Sequence, residues 1–325
     1  MYKEDKSMGK EVVEKIYDVL VIGAGPGGMT ATLYASRANL STLLLERGAP
    51  GGQLINTADV ENYAGFKSIT GPDLAAKMYE GATQFGAEYT FGDVKEIIDG
   101  KEYKQVVTST KIYKTRSVII STGAEHKKIG IPGEDRLNGR GVSYCAVCDG
   151  AFFRDRPLAV IGGGDSAVEE GTYLTQFASE VTIIHRRDKL RAQNILQDRA
   201  FANEKVNFIW DTVAEEIIGD DNVKSIQLRN VKTGEKSTLE VDGVFVYIGL
   251  LPNSDAFLDL GITDEEGWIV TDENRQTAVP GIFAVGDVRQ TVLRQIATAV
   301  GDGSIAGDAA YKYVESLKEE LALAK

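Results

Sequence analysis

An α/β architecture, with one βαβ domain inserted into another, follows from three observations on the sequence. A strand, a glycine-rich turn and a helix occur in that order twice, beginning at Tyr17 and again at Leu158. The strand after each helix ends at the same distance from its turn, once on an acid and once on a basic cluster. A late strand within Pro280–Asp287 has no glycine turn of its own and must join a sheet already present.

The first unit opens with Tyr17–Ile22 (YDVLVI), an apolar run of the length of a buried strand. Gly23-Ala24-Gly25-Pro26-Gly27-Gly28 follows, then a helical pattern to about Ala38 and a second strand, Thr42–Leu45, ending at Glu46. This is the G-x-G-x-x-G fingerprint of a Rossmann-like dinucleotide fold. Gly23 makes the tight turn, Gly25 lets a pyrophosphate approach the backbone, and Gly28 lets helix and strand pack closely. The helix N-terminus offers free N–H groups and the positive end of its dipole to the phosphates. Glu46 lies 18 residues beyond Gly28, where an acid accepts from ribose hydroxyls.

The second unit repeats the order. Leu158–Ile161 leads into Gly162-Gly163-Gly164-Asp165-Ser166-Ala167, a G-x-G-x-x-A, then a helix to about Phe177 and a strand, Glu180–Ile184. The residue 18 beyond Ala167 is His185, followed by Arg186 and Arg187, with Arg191 a helical turn later. Glu46 would repel a ribose phosphate; these arginines would attract one. A charge-assisted hydrogen bond contributes roughly 1.5–3 kcal/mol, so two give about 3–6 kcal/mol before desolvation, on the order of 100-fold at the low end. A lone fingerprint is a weak signal. Two in strand–turn–helix context, with second strands in one register, are specific.

Each unit has a return strand: Ser117–Thr122, ending in Gly123-Ala124, and Gly243–Ile248, ending in Gly249. After the second of these no third fold begins; the chain passes the Gly286-Asp287 strand end and finishes in a helical pattern. The late strand is assigned to the first domain, which becomes discontinuous, 1–124 and 253–325. The second domain, 125–252, is inserted within it.

At 325 residues the chain has room for two domains. A formal net charge of -12 argues against non-specific binding to nucleic acid or anionic lipid. Met1–Lys15 is polar and mixed in charge, and no run of about 20 apolar residues occurs, so neither a signal peptide nor a membrane span is expected. A cytoplasmic protein is the expectation, and there two cysteines point to catalysis or metal binding rather than to a structural staple.

Those cysteines stand in Cys145-Ala146-Val147-Cys148-Asp149, between the two fingerprints. A Cys-x-x-Cys is a redox pair, half a zinc site, or two inert buried thiols. Tetrahedral structural zinc needs four Cys or His ligands. The chain has two histidines, His126 and His185, and His185 sits in the basic cluster, a poor place for another cation. No metal is expected. The spacing, the adjacent carboxylate and the flanking fingerprints favour redox chemistry. Thiol exchange needs a thiolate and a proton source, and Asp149 is placed to supply the second.

Together, Cys-Ala-Val-Cys-Asp-Gly, the N-terminal fingerprint, Gly-Gly-Gly-Asp-Ser-Ala and His-Arg-Arg-Asp resemble the low-molecular-weight, bacterial-type thioredoxin reductases of the pyridine nucleotide-disulfide oxidoreductase family. The resemblance runs from about Tyr17 onward. It implies FAD in the discontinuous domain and NADPH in the inserted one. Gly51-Gly52-Gln53 and Val60-Glu61-Asn62 are similar to segments lining the flavin, Asp287 to a residue bonding the ribityl chain, and Arg294-Gln295 to a pair near the isoalloxazine. On the NADPH side the matching residues are Gly162, Gly164, Asp165, Ser166, Ala167, His185, Arg186, Arg187 and Arg191.

The resemblance further implies that Cys148 faces the flavin, that Cys145 attacks the thioredoxin disulfide, and that Asp149 is the general acid. It implies a homodimer and an inserted domain that swings on a hinge pair near 125–127 and 251–253. The segment Gly249–Asn253 varies in the family. The expected reaction is NADPH-driven reduction of thioredoxin through FAD and the Cys145–Cys148 disulfide. No C-terminal dithiol or thioredoxin-like N-terminal extension is read. The alternative is a related flavoprotein NADPH oxidoreductase with another acceptor, and the dithiol counts against its dithiol-free forms. A non-enzymatic nucleotide sensor would need no dithiol at all.

Overall fold

The computed structural model describes residues 10–324 except Ala58 and Glu61, and the backbone only of Asn56, Asp59, Val147 and Cys148. Glu61 and the side chain of Cys148, both singled out above, therefore lie outside the described residues. The chain divides into two compact units, one comprising the segments up to Glu125 and from Pro252 onward, the other His126–Leu251.

The first segment runs β1 (Glu11–Ile22), α1 (Pro26–Arg37), β2 (Thr42–Glu46), β3 (Asp59–Val60), β4 (Ile69–Thr70), α2 (Gly71–Thr83), β5 (Glu88–Phe91), β6 (Val94–Ile98), β7 (Lys104–Thr108) and β8 (Lys111–Ile120). The strands β5, β2, β1 and β8 lie side by side in parallel. β7 and β6 extend the sheet antiparallel from the N-terminal half of β8. β1 begins at Glu11 rather than Tyr17. Glu11 and Val12 pair with Lys111 and Ile112 across a register shift, and this extension is mostly exposed, so it leaves no apolar run in the sequence. α1 starts on a proline, whose missing N–H is one the first turn would leave unpaired anyway.

The chain leaves the first unit on β9 (Ala124–His126). It then forms β10 (Val142–Ser143), α3 (Ala146–Asp149), β11 (Pro157–Gly162), α4 (Asp165–Leu174), β12 (Glu180–Ile184), α5 (Asn194–Phe201) and β13 (Val206–Ile209). β14 (Thr212–Gly219), β15 (Val223–Asn230), β16 (Lys236–Glu240), β17 (Gly243–Tyr247) and β18 (Leu250–Pro252) follow. Five of these make a parallel sheet in the order β10-β17-β11-β12-β13, and β14-β15-β16 form an antiparallel sheet. α4 ends at Leu174, short of Phe177, because the last residues tighten into a turn with Phe177 N–H donating to Leu174 O.

The two crossing strands, β9 and β18, pair with each other. Beside them, Lys127 N–H donates to Gly249 O and Asn253 N–H to Gly123 O. The last segment adds β19 (Ile282–Ala284), parallel to the C-terminal half of β8, and the long helix α6 (Ile296–Leu323). One face of the first sheet is covered by α1 and α6 through Met29, Ala31, Ala35, Ala306 and Ala310. The other packs Leu20, Leu43, Val118 and Ile120 against Phe257, Ile262 and Ile269. In the second unit α4 and α5 cover one face of the parallel sheet, and the antiparallel sheet covers the other. Both faces of each parallel sheet are thus buried, which is why its strands read as continuous apolar runs.

Candidate active site: two glycine cradles and a dithiol turn

In the first cradle Gly23 adopts φ +102, and a Cβ there would lie 2.3 Å from Ser121 O. A Cβ on Gly28 would come within 1.9 Å of Gly23 O, while one on Gly25 would meet nothing within 4 Å. The three positions therefore differ: two are closed by backbone, and one opens onto free space above the first turn of α1, whose N–H groups have no intrahelical acceptor. Gly52 packs on this opening, with Gly25 Cα 3.2 Å from where its Cβ would stand. Gln53 Nε2 donates to Ala124 O at 3.4 Å. Glu46 accepts from Ala24 N–H at 2.7 Å and from Gly48 N–H at 2.8 Å, one bond to each oxygen. A second lone pair on each oxygen is left for a hydroxyl donor.

The remaining residues stand on and around the 285–299 segment, which meets the cradle where a Cβ on Gly27 would come within 3.1 Å of Val285 Cγ2 and Ala299 O. Asn62 Nδ2 donates to Gln295 Oε1 at 2.9 Å, and Gln295 caps α6 in a reciprocal box with Thr298. Arg294 lies 3.8 Å over the ring of Trp268 and donates from Nε to Asp287 O at 3.3 Å. Asp287 Oδ1 is buried with no hydrogen-bond partner. Burial pushes its carboxyl pKa up, against the opposing pull of Arg294. A buried oxygen without a donor is costly, and a hydroxyl-bearing ligand would satisfy it. The open Gly25, the free helix N-terminus and this orphaned oxygen fit a flavin dinucleotide.

The second cradle repeats the backbone but not the side chains. A Cβ on Gly162 would lie 2.3 Å from Tyr247 O, and Gly164 again opens onto free space. Asp165 turns away from that space: its two oxygens accept from the N–H and Nε2 of Gln193 at 2.7 and 3.0 Å, joining α4 to the start of α5. Ser166 is exposed, and Ala167 is buried. Arg191 N–H donates to Gly163 O at 2.7 Å, drawing the basic segment onto the fingerprint.

Arg186, Arg187 and Arg191 are exposed. None of the three pairs with a carboxylate among the described residues. His185 is different: it is 5% exposed, presses its ring on Gly163, and leaves Nε2 buried and unpartnered. Burial, then the nearby Arg191, pushes its pKa down. Trp210 lies edge-on to His185 and stacks on Phe208 at 5.1 Å.

The dithiol turn occupies the start of α3. Cys145 is disulfide-bonded, and the chain has one other cysteine. Ser143 organises the turn. Its hydroxyl donates to Asp149 Oδ2 at 2.6 Å and accepts from Cys145 N–H at 3.1 Å. Asp149 N–H donates to Cys145 O at 3.2 Å. The buried Ala146 N–H donates to the Tyr247 hydroxyl at 2.7 Å. Tyr247 is nearly enclosed at the end of β17, and burial, then the charge of Glu170, drives its pKa far up. Glu170, on α4, is pushed up to about 7 by burial and then by Glu169, and its Oε2 has no partner.

Ser143, Tyr247, Glu170 and Trp268 were not singled out in the sequence. Ser143 had a local signal, a hydroxyl two residues before the first cysteine. Tyr247 had a weaker one, a phenol inside a buried strand whose hydroxyl must find a partner. Glu170 and Trp268 had none.

The sequence profile of the family described as pyridine nucleotide-disulphide oxidoreductase matches residues 17–303. A curated thioredoxin reductase of Listeria innocua is 67% identical over 309 residues, 95% of this chain and 97% of the relative. That of Bacillus subtilis is 63% identical, covering 95% of this chain and 98% of the relative. The crystal structure of Lactococcus lactis thioredoxin reductase superposes with a TM-score of 0.83 at 57% identity, over 92% of this chain and 99% of that one. With both cradles, the dithiol turn and these likenesses in agreement, the chain belongs to the pyridine nucleotide-disulphide oxidoreductase family, among its thioredoxin reductases.

Proposed function

We propose that this protein is an NADPH-dependent thioredoxin-disulfide reductase that passes electrons through FAD and the Cys145–Cys148 pair. One observation carries the reading: a cysteine already in a disulfide, tied through Ser143 to an aspartate, in the same unit as a fingerprint with three uncommitted arginines. NADPH and FAD, when bound, supply the hydride and two-electron chemistry that side chains lack. We assign FAD to 1–124 and 253–325, held by the Gly23–Gly28 turn, Glu46, Gly52, Gln53, Asn62, Asp287, Arg294 and Gln295. We assign NADPH to 125–252, with its 2′-phosphate on Arg186, Arg187 and Arg191.

The chain's own chemistry is thiol–disulfide exchange. In the reduced pair, Cys145 thiolate attacks one sulfur of the partner disulfide; that S–S bond breaks, a mixed disulfide forms, and the released partner thiolate takes a proton. Cys148, having lost its proton, then attacks Cys145 Sγ; the S–S bond to the partner breaks, and the second partner sulfur leaves as a thiolate that takes up that proton. Two electrons have left the pair, which ends as a disulfide. Asp149, held by Ser143, holds the proton that this cycle moves.

We extend the proposal to a homodimer in the cytoplasm. No described helix is long and apolar enough to cross a membrane, and light scattering of the purified enzyme measures the assembly. The inserted domain is taken to swing on 125–127 and 251–253. Turnover that survives a crosslink between the two domains would exclude the swing.

The direct test is anaerobic titration with NADPH, following flavin absorbance in wild type and Cys148→Ser. Wild type is expected to take up two more electrons per flavin than the variant. Equal uptake would make the cysteines bystanders and favour a flavoprotein NADPH oxidoreductase with another acceptor.

A further inference from the structure

The turn that carries Asp287 is held by a buried carboxylate that the reaction does not use. Asp302, on α6, is 5% exposed. Its Oδ2 accepts from Gly286 N–H at 3.0 Å and from Arg289 Nε at 2.6 Å. Its Oδ1 accepts from Arg275 Nε at 2.7 Å and from Arg289 Nη2 at 3.2 Å. Gly286 and Arg289 flank the short 3-10 turn Gly286–Val288. One oxygen therefore clips both ends of the turn whose middle residue presents the orphaned Asp287 Oδ1.

The other oxygen, besides its bond to Arg289 Nη2, extends the hold to Arg275. That residue stands at φ +66, a left-handed conformation uncommon outside glycine. Its carbonyl accepts from Ala284 N–H, the last residue of β19. Asp302 thus ties the end of β19, the turn and α6 to a single side chain. An ion pair serving stability alone would need only the arginines. The bond to Gly286 N–H, beside an unsatisfied acid in a ligand cradle, does something more specific.

We infer that Asp302 is a positioning residue for the flavin: it fixes the Gly286–Arg289 turn so that Asp287 Oδ1 is held ready for a ligand hydroxyl. The inference rests on the assignment of FAD to this unit. Flavin affinity should follow the hold on the turn and not the number of ion pairs lost.

The test measures FAD binding to flavin-stripped full-length protein by fluorescence titration, alongside the melting temperature of each apoprotein. Asp302→Asn and Asp302→Glu should weaken FAD binding about tenfold or more, the loss of one charge-assisted hydrogen bond at the turn. Asp302→Glu keeps both arginines paired, so it remains informative where Asp302→Asn does not fold. Arg275→Met removes a partner of Oδ1 only; it should lower the melting temperature yet leave FAD affinity within about threefold of wild type. FAD binding unchanged in the Asp302 variants, or weakened as much by Arg275→Met, would overturn the inference. A wild type that takes up no FAD would instead overturn the flavin assignment itself.

Discussion

The two glycine cradles share a backbone and differ in what stands on it. Gly23 and Gly162 are both closed by a backbone carbonyl at the end of the return strand, Ser121 O just past β8 and Tyr247 O at the end of β17, and Gly25 and Gly164 both open onto space. At the third position the first unit keeps Gly28, where a Cβ would collide with Gly23 O at 1.9 Å, and the second holds the buried Ala167. At the end of the second strand, Glu46 folds back on the fingerprint's own N–H group, whereas His185 fills the space beneath Gly163 and its arginine neighbours stay exposed. On the helix, the first unit has the fully buried Ala31 where the second has Glu170. The two turns share one backbone, and the units diverge at the positions beyond it.

That contrast is broken most severely at its tightest point. Gly28→Ala should cost about 3–5 kcal/mol, since the obstacle is backbone that cannot step aside. The reverse change in the second unit, Ala167→Gly, should cost only about 1 kcal/mol. Urea denaturation of both apoproteins makes the comparison, and equal losses would mean that the two helix–strand approaches are alike.

Next comes nucleotide choice. Arg186→Ala combined with Arg187→Ala should lower the ratio of kcat/KM for NADPH over NADH by about 100-fold, the low end of two charge-assisted bonds. A ratio left intact in that double variant would remove both residues from the 2′-phosphate site.

A pH-dependent effect concerns Glu170, whose folded pKa is raised to about 7 from 4.5. A raised carboxylate pKa favours the folded state below the unfolded value and withdraws that contribution as pH rises through the folded one. Relative to Glu170→Gln, wild type should therefore lose stability between about pH 4.5 and 7, by up to about 3 kcal/mol. Nothing at Ala31 titrates, so Ala31→Gly should leave the pH dependence of wild type unchanged. Parallel stability–pH curves for wild type and Glu170→Gln would show that the buried carboxyl is better solvated than its surroundings suggest.

The α/β class and the repeated unit were legible because fingerprints and buried strands are local patterns. The dithiol was legible because spacing and composition left few other uses for two cysteines. What escaped was set by distant partners. The N-terminal half of β1 looks like a polar lead-in because its neighbour, the early part of β8, supplies the pairing from a hundred residues away. Ser143 could have been read from its place beside Cys145, but Tyr247 reaches Ala146 only through the register of β17 beside β10. Asp302 lies mid-helix, and neither of its arginines is a helical neighbour. His185 was read by its register as part of a cationic group, and its burial against Gly163 could not be seen without the fold.

Only two tryptophans occur in the chain, and each unit contains one. Trp268 lies under Arg294 in the first, and Trp210 lies edge-on to His185 in the second. The molecule thus carries a separate optical reporter in each unit. Replacing one indole by phenylalanine leaves the ultraviolet emission of the other as a signal from its own unit alone, with no added label.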